Sequence, residues 1–317
     1  MMQMKTLFSV IWWRGCFLRT RNRRVVGERY KVIEKRSGRN FIIFHPSDFS
    51  AASDVAFAHA LKIALQSKAK LDIMHVEAHA APERCWLDFP AVRATLTRWG
   101  MLPADVRQEE VVKTGLHIRK ILKSGSDPVV TMLRHFRSFR PDLIVLATPQ
   151  REGLERWLHK AVAEPLARRS GAMTLFLPHD GSGFVSLNDG AVALRKILIP
   201  IDHNPAPQAA LEKTLLLARG LGCVAGALRL VHVGPPRSAP VIDLPGQPGW
   251  AYEVIVRQGD VLEEILRTEH DWQPELMVLA THGHFDFLDA LRGSTTERVL
   301  CRARCPVLAV PAFNEFD

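Results

Sequence analysis

The sequence predicts an α/β protein built from two tandem five-stranded, parallel, doubly wound domains. Three observations lead there. Strand-like and helix-like segments alternate from Asn40 onward, the strands are short unbroken apolar runs, and the whole order occurs twice. Such alternation builds parallel sheets with helices on both faces, because every parallel crossover needs a covering element. Unbroken apolar runs fit strands that are buried on both faces.

The first unit opens with the run Phe41–Phe44, which ends in His45-Pro46-Ser47-Asp48. Ser50 or Ser53 can cap the following helix, Ala51–Ser67, whose apolar positions include Val55, Ala58, Leu61, Ile63 and Leu65. Leu71–Val76 reads as a strand, Phe89–Gly100 as a short amphipathic helix, and Ile118–Leu122 as a strand. Gly125-Ser126-Asp127-Pro128 then supplies an N-cap with proline at the first helical position, for a helix reaching about Phe139. Strand Leu143–Ala147, a helix around Ala161–Arg169 and strand Met173–Leu177 complete the unit. The segment His179–Gly190 is rich in Gly, Ser, Asp and Asn and reads as a linker.

The order then repeats. Lys196–Ile201 is a strand ending in Asp202, Pro205–Leu221 a helix, Ala227–Val233 and Tyr252–Val256 strands, Asp260–His270 a helix and Leu276–Ala280 a strand. A helix from Ser294 and a strand Pro306–Val310 close the chain. Pro46 and Asp48 match Pro200 and Asp202 at an offset of 154, and Pro141–Thr148 matches Pro274–Thr281 at an offset of 133. The shrinking offset means that the second copy has lost chain between its second and fourth strands. Gly234–Gly249, with five prolines and no helical period, stands there in place of the helix Phe89–Gly100. The expected organisation is a tail over 1–39, a first domain over 40–178, a linker over 179–193 and a second domain over 194–312.

Charge is distributed unevenly. The formal net charge is +9, and residues 1–40 hold eleven Lys/Arg against two Asp/Glu, so the remainder balances to zero. A nucleic-acid footprint would be a face of the fold, and none is expected. The tail carries an uncharged, mostly apolar core (Thr6–Trp13) with no small-residue cleavage site after it. It is too short to span a membrane and reads as a disordered segment, a basic surface-binding segment or an early translation start. Five scattered cysteines with no CxxC pair suggest neither a disulfide framework nor a zinc site, and point to a reducing, cytoplasmic setting.

The most informative stretch is Pro274–Pro311. Leu276–Ala280 empties into Thr281-His282-Gly283; nine residues later Gly293-Ser294 opens a helix, with Glu297 completing a capping box. A glycine beside a helix start offers free backbone N–H groups to an anion. Read blandly, Gly293-Ser294 is only a well-made helix start.

The motif Gly/Ala-x-x-Gly, nine residues, Gly-Ser, after the fourth strand of a unit whose first strand ends in Asp, resembles the universal stress protein family, and two fused units resemble its tandem members. The resemblance covers about residues 40–312. It implies Rossmann-like domains of the adenine nucleotide α-hydrolase-like type, with strand order 3-2-1-4-5, and ATP binding where the glycine motif is intact; the carboxylates of Asp286 and Asp289 would repel a triphosphate unless a Mg²⁺ lay between them. Carried over, Pro200 and Asp202 would hold the ribose or adenine side and Val231–Val233 would border the base. Ala280, His282 and Gly283 would approach the ribose and phosphates, and Gly293, Ser294 and Thr295 would donate to the phosphates. Ala280 departs from the motif's first glycine; His284 replaces a common basic residue, and Asp286 and Asp289 add carboxylates. In the first copy Ala147, Gln150, Lys160 and Ala161 stand opposite Ala280, Gly283, Gly293 and Ser294, so that copy is expected to bind no nucleotide.

Other features are weighed against this. His203, His232, His282 and His284 lack ligand spacing and read as solvated loop residues rather than a metal site. Cys301 and Cys305 read as buried structural thiols. Ser124-Gly125-Ser126-Asp127 resembles a fragment of the phosphate loop of related adenylating enzymes, yet follows a third strand and reads as a helix cap. No nucleophile–base–orienter set is visible. The last strand of each unit is an edge that needs a partner, and the two can satisfy each other within the chain as a pseudo-symmetric pair, alongside a homodimer. The resulting expectation is a cytoplasmic stress-response regulator or sensor binding an adenine nucleotide in its second domain. The alternatives are a scaffold of the same fold that acts through protein contacts, and a slow Mg²⁺-dependent nucleotide hydrolase using Asp286 or Asp289.

Overall fold

In the computed structural model the chain lays down β1 (Ile42–Pro46), α1 (Ala51–Ser67), β2 (Lys70–Glu77), α2 (Cys85–Asp88), α3 (Val92–Arg98), β3 (His117–Ser124), α4 (Pro128–Phe136), β4 (Leu143–Thr148), α5 (Ala163–Ser170) and β5 (Met173–Pro178). It then repeats the pattern with β6 (Lys196–Pro200), α6 (Gln208–Gly220), β7 (Gly226–Val233), β8 (Trp250–Arg257), α7 (Val261–Trp272), β9 (Leu276–Thr281), α8 (Thr295–Arg302) and β10 (Val307–Pro311). The structure describes residues 41–77, 85–104, 111, 114–148, 162–178, 181, 183–281 and 295–312. The tail expectation concerns residues 1–39, outside the described residues. Every element named here belongs to one unit, Val32–Asp317.

All ten strands join one sheet, in the order β3-β2-β1-β4-β5-β10-β9-β6-β7-β8. Each half therefore has the order 3-2-1-4-5 within itself, with reversals at β1/β4 and β6/β9. Pairing is parallel throughout except at the centre. There β5 and β10 run antiparallel, with Val307 opposite Phe176, Leu308 opposite Leu175 and Ala309 opposite Thr174. The two strands expected to need partners at their edges thus cover each other.

Local signals set the helix boundaries. The Ser50 side chain accepts from the Ser53 N–H at the start of α1, and Asp127 accepts from the Val130 N–H with Pro128 at the first turn of α4. Asp260 does the same for the Glu263 N–H at α7. The predicted helix Phe89–Gly100 is displaced: Pro90 separates α2 from α3, because proline removes a donor and biases the residue before it away from the helical region. Likewise α6 begins at Gln208 rather than Pro205, since Pro205 and Pro207 keep the first turn irregular.

Two apolar layers sandwich the sheet. One gathers Phe57, Leu61, Leu96, Leu211, Leu215 and the strand residues facing α1 and α6; these two helices touch across the sheet centre. The other gathers Met132, Phe136, Leu166, Leu262, Ile265, Val299 and Leu300 from α4, α5, α7 and α8. Between β7 and β8 the described backbone holds only a 3-10 turn, Pro236–Ser238, so no counterpart of α2 and α3 covers that part of the second half.

The connecting segment is more structured than its composition predicts. Phe184 and Val185 are buried, and Val185 bridges Val192. His59 Nε2 accepts from the N–H groups of Phe184 (2.9 Å) and Val185 (3.1 Å), while the other ring nitrogen bonds the Val55 carbonyl. Trp99 Nε1 donates to Leu187 O, and Gly190, at φ +67°, lies where a Cβ would come within 2.6 Å of the Trp99 ring. An apolar pair and a buried histidine anchor what polar residues alone would have left loose.

Candidate functional site

In a doubly wound sheet a ligand crevice forms beyond the carboxyl ends of the strands where the order reverses. In the second half that place lies between β6 and β9. Apolar Ile197–Ile199 bury β6 as far as half-buried Pro200; the Ile201 N–H then donates to Val231 O (2.9 Å), and Asp202 emerges exposed. The Asp202 carboxylate accepts only the neighbouring His203 N–H (2.7 Å) among the described contacts. Val231 itself points into the core at 1% exposure, so it forms the floor rather than the wall of any crevice.

Beside it, β9 carries half-buried Ala280 and then buried Thr281, whose carbonyl is taken by the Ala312 N–H (2.7 Å). The helix α8 starts at exposed Thr295, giving an N-terminus on the same strand-end side. His282, Gly283, Gly293 and Ser294 lie outside the described residues. The structure therefore brings together Pro200, Asp202, Val231 and Ala280 on adjacent strand ends, with Thr295 at the helix start.

His232 corrects the sequence reading. It is not a solvated loop residue but sits on β7 at 3% exposure, with Nδ1 3.2 Å from Ile201 O and Nε2 3.0 Å from Ser238 Oγ. Gly234 makes room for it, since a Cβ there would stand 2.9 Å from Nε2. The first half holds the same device: His75 Nδ1 lies 2.7 Å from Ser47 O, and Nε2 lies 2.8 Å from Glu77. Both histidines tie the end of the second strand to the residue just before the strand-end aspartate, Asp48 or Asp202. The signal was in the sequence as His75-Val76 and His232-Val233.

The halves differ in what lies above that histidine. In the first, Asp48 Oδ1 is engaged by both the N–H and hydroxyl of Ser50, and Phe49, at φ +62°, lays its ring on His75. Phe49 also meets the edge of Phe89, which stacks with Trp86. In the second half the position of Phe49 is taken by exposed His203. Beneath the first crevice, buried His45 contacts Val145 O and Ser53 Oγ, and burial pushes its pKa down to about 4; its counterpart is Ile199.

The remaining candidates are settled by burial. Cys305 is buried and its backbone N–H donates to Glu269 Oε1. Cys301 is only partly buried; burial pushes its thiol up to about 11, and Cys305 well above the ordinary range. Neither is a reactive thiolate at neutral pH. Asp127 acts as the helix cap already described. Among the described residues no group of three or more His, Cys, Asp or Glu could hold a metal ion, and no helix is long and apolar enough to cross a membrane.

The model of the universal stress protein family matches residues 42–178 and 244–311. The chain belongs to the universal stress protein family. No curated protein matches the sequence. Among solved structures, a universal stress protein from Archaeoglobus fulgidus DSM 4304 is similar at 17% identity, over 86% of this chain and 98% of its own, with a TM-score of 0.57. A functionally unknown protein from Pseudomonas aeruginosa PAO1 is similar at 12% identity, over 86% and 92%, with a TM-score of 0.52. These likenesses establish the fold, and both neighbours are spanned almost end to end by this universal stress protein.

Proposed function

We propose that this universal stress protein is a cytoplasmic stress-response sensor or regulator that binds ATP in its second domain, residues 194–312. The first domain, 40–178, serves as its structural partner, and 179–193 joins them. The observation that carries the reading is the contrast at the two strand-end aspartates. Asp48 is tied into a turn by Ser50 while the Phe49 ring covers His75, whereas Asp202 is exposed and, among the described residues, no aromatic ring stacks on His232.

On this reading Asp202, with Pro200, accepts from the ribose or adenine side, and the Val231–Val233 strand end borders the base. Ala280, His282 and Gly283 let the backbone approach the ribose and phosphates. Gly293, Ser294 and Thr295 supply N–H and hydroxyl donors where the α8 dipole favours negative charge. Mg²⁺ would offset the carboxylates of Asp286 and Asp289.

Titration calorimetry of the full chain with ATP, with and without Mg²⁺, tests this. One molecule per chain is expected, with binding lost in Gly283→Val and Gly293→Val. Two molecules per chain, or affinity unchanged by either substitution, overturns the assignment. Absence of any binding favours the scaffold reading, and phosphate release above background would bring in the hydrolase.

A further inference from the structure

The sheet has two outer strands, and they are not alike. The edge strand β3 carries His117, Arg119, Lys120 and Lys123, so pairing with a copy of itself would bring like charges together. The other edge strand, β8, reads Trp250-Ala251-Tyr252-Glu253-Val254-Ile255-Val256-Arg257, with no proline and one charge of each sign. Val254 and Val256 are 43% and 37% exposed. They lie on the face shared with Trp250 and Tyr252, the part of the second half that lacks a counterpart of α2 and α3. A strand of this composition, with no cover on its outer edge among the described residues, is a template for another strand.

The hydrogen-bonding phase of that edge follows from its inner side. Gly249 O and Arg257 O both accept from β7 or its flanks, from the N–H groups of Gly226 and Gly234. Backbone groups alternate along a strand, so the odd-numbered residues bond inward while Tyr252, Val254 and Val256 turn N–H and C=O outward.

We infer that two copies of this chain pair antiparallel through β8, with a twofold axis at Ile255. In that register Val254 of one copy lies opposite Val256 of the other, and both carry outward-facing groups, so they exchange backbone hydrogen bonds. The exposed valines merge into one apolar stripe. Glu253 lies opposite Arg257 of the second copy, twice by symmetry. Registers centred on Val254 or Val256 lose both charge pairs, so the charges select this one. The join repeats at β8 the antiparallel edge pairing that β5 and β10 already make inside the chain.

Sedimentation of the full chain over a concentration series tests the proposal. The wild type is expected to pass from monomer to dimer mass. Val256→Pro removes an outward N–H, leaves the β7 ladder intact and is tolerated on an edge strand; it is expected to give a monomer with an unchanged far-UV spectrum and melting. Arg257→Glu faces Glu253 across the join and should weaken association about tenfold, while Arg257→Lys should stay close to wild type. A wild-type chain that stays monomeric, or a dimer indifferent to Val256→Pro, overturns the proposal. A dimer lost in Val256→Pro but indifferent to Arg257→Glu overturns the register.

Discussion

Phe49 stacks on His75 with ring centroids 4.0 Å apart and planes 24° apart. A phenylalanine at φ +62° is a costly backbone choice. What holds it is the contact itself: one ring face on an imidazole anchored to Ser47 O and Glu77, and one edge on Phe89. The result is a roof over the carboxyl ends of β1 and β2, the place where the second half leaves Asp202 exposed.

If the second half alone binds ATP, as proposed, removing that roof should not create another site, because Gln150 and Lys160 stand opposite Gly283 and Gly293. In Phe49→Ala, calorimetry with ATP should still give one molecule per chain. Thermal unfolding should show a loss of about 1–2 kcal/mol, as expected for truncating a half-buried aromatic.

His59 holds the connecting segment by accepting two buried N–H groups at one nitrogen. His59→Ala leaves both without a partner and should cost about 2–4 kcal/mol in urea unfolding. Amide exchange at Phe184 and Val185 should accelerate more than exchange in the sheet.

Acid should destabilise the fold before its carboxylates protonate. Burial pushes both His45 and His59 down to about 4, while in the unfolded chain they titrate near 6.5. Between those values the unfolded state binds more protons, so stability is full above about pH 6.5 and falls as pH drops toward 4. Each histidine contributes up to about 3 kcal/mol of that loss. Urea midpoints from pH 7 to 4 should fall accordingly, and less steeply in His45→Gln.

The halves carry the same ion pair with its sign reversed. Arg119 on β3 grips Asp72 on β2 with two hydrogen bonds and lies over the Phe139 ring; Arg229 on β7 grips Glu253 on β8 and lies over the Trp272 ring. Asp72 is 2% exposed. Burial pushes its carboxyl up, but the His135 ring 3.6 Å away and the two hydrogen bonds from Arg119 outweigh that and hold it below the usual range. Arg119→Ala should therefore cost about 2–3 kcal/mol. Arg229→Ala, at an exposed pair, should cost less than about 1 kcal/mol. Chemical denaturation of the two variants gives the comparison.

Strands were the most legible elements, because runs such as Leu143–Ala147 and Leu276–Ala280 have no other use in a chain of this composition. The pairing of β5 with β10 was legible as an edge that had to be covered. The helix interruption at Pro90 and the late start of α6 were set by proline positions that an apolar pattern does not weigh. His232 was misread because a histidine near a strand end looks solvated until its two partners, Ile201 O and Ser238 Oγ, are brought together by the fold. Val231 was expected to border the base; its burial puts it in the floor instead, on the face it shares with Pro200 by register.

The antiparallel seam between β5 and β10 has a directional result. Since each half points its strand ends along its own parallel direction, the roofed end of the first half and the open end of the second face away from each other across the width of the sheet. A molecule lodged at one cannot brush against anything at the other. The halves meet through the three facing residue pairs of the seam and through α1 against α6, so the first half fills its own cleft without obstructing its twin.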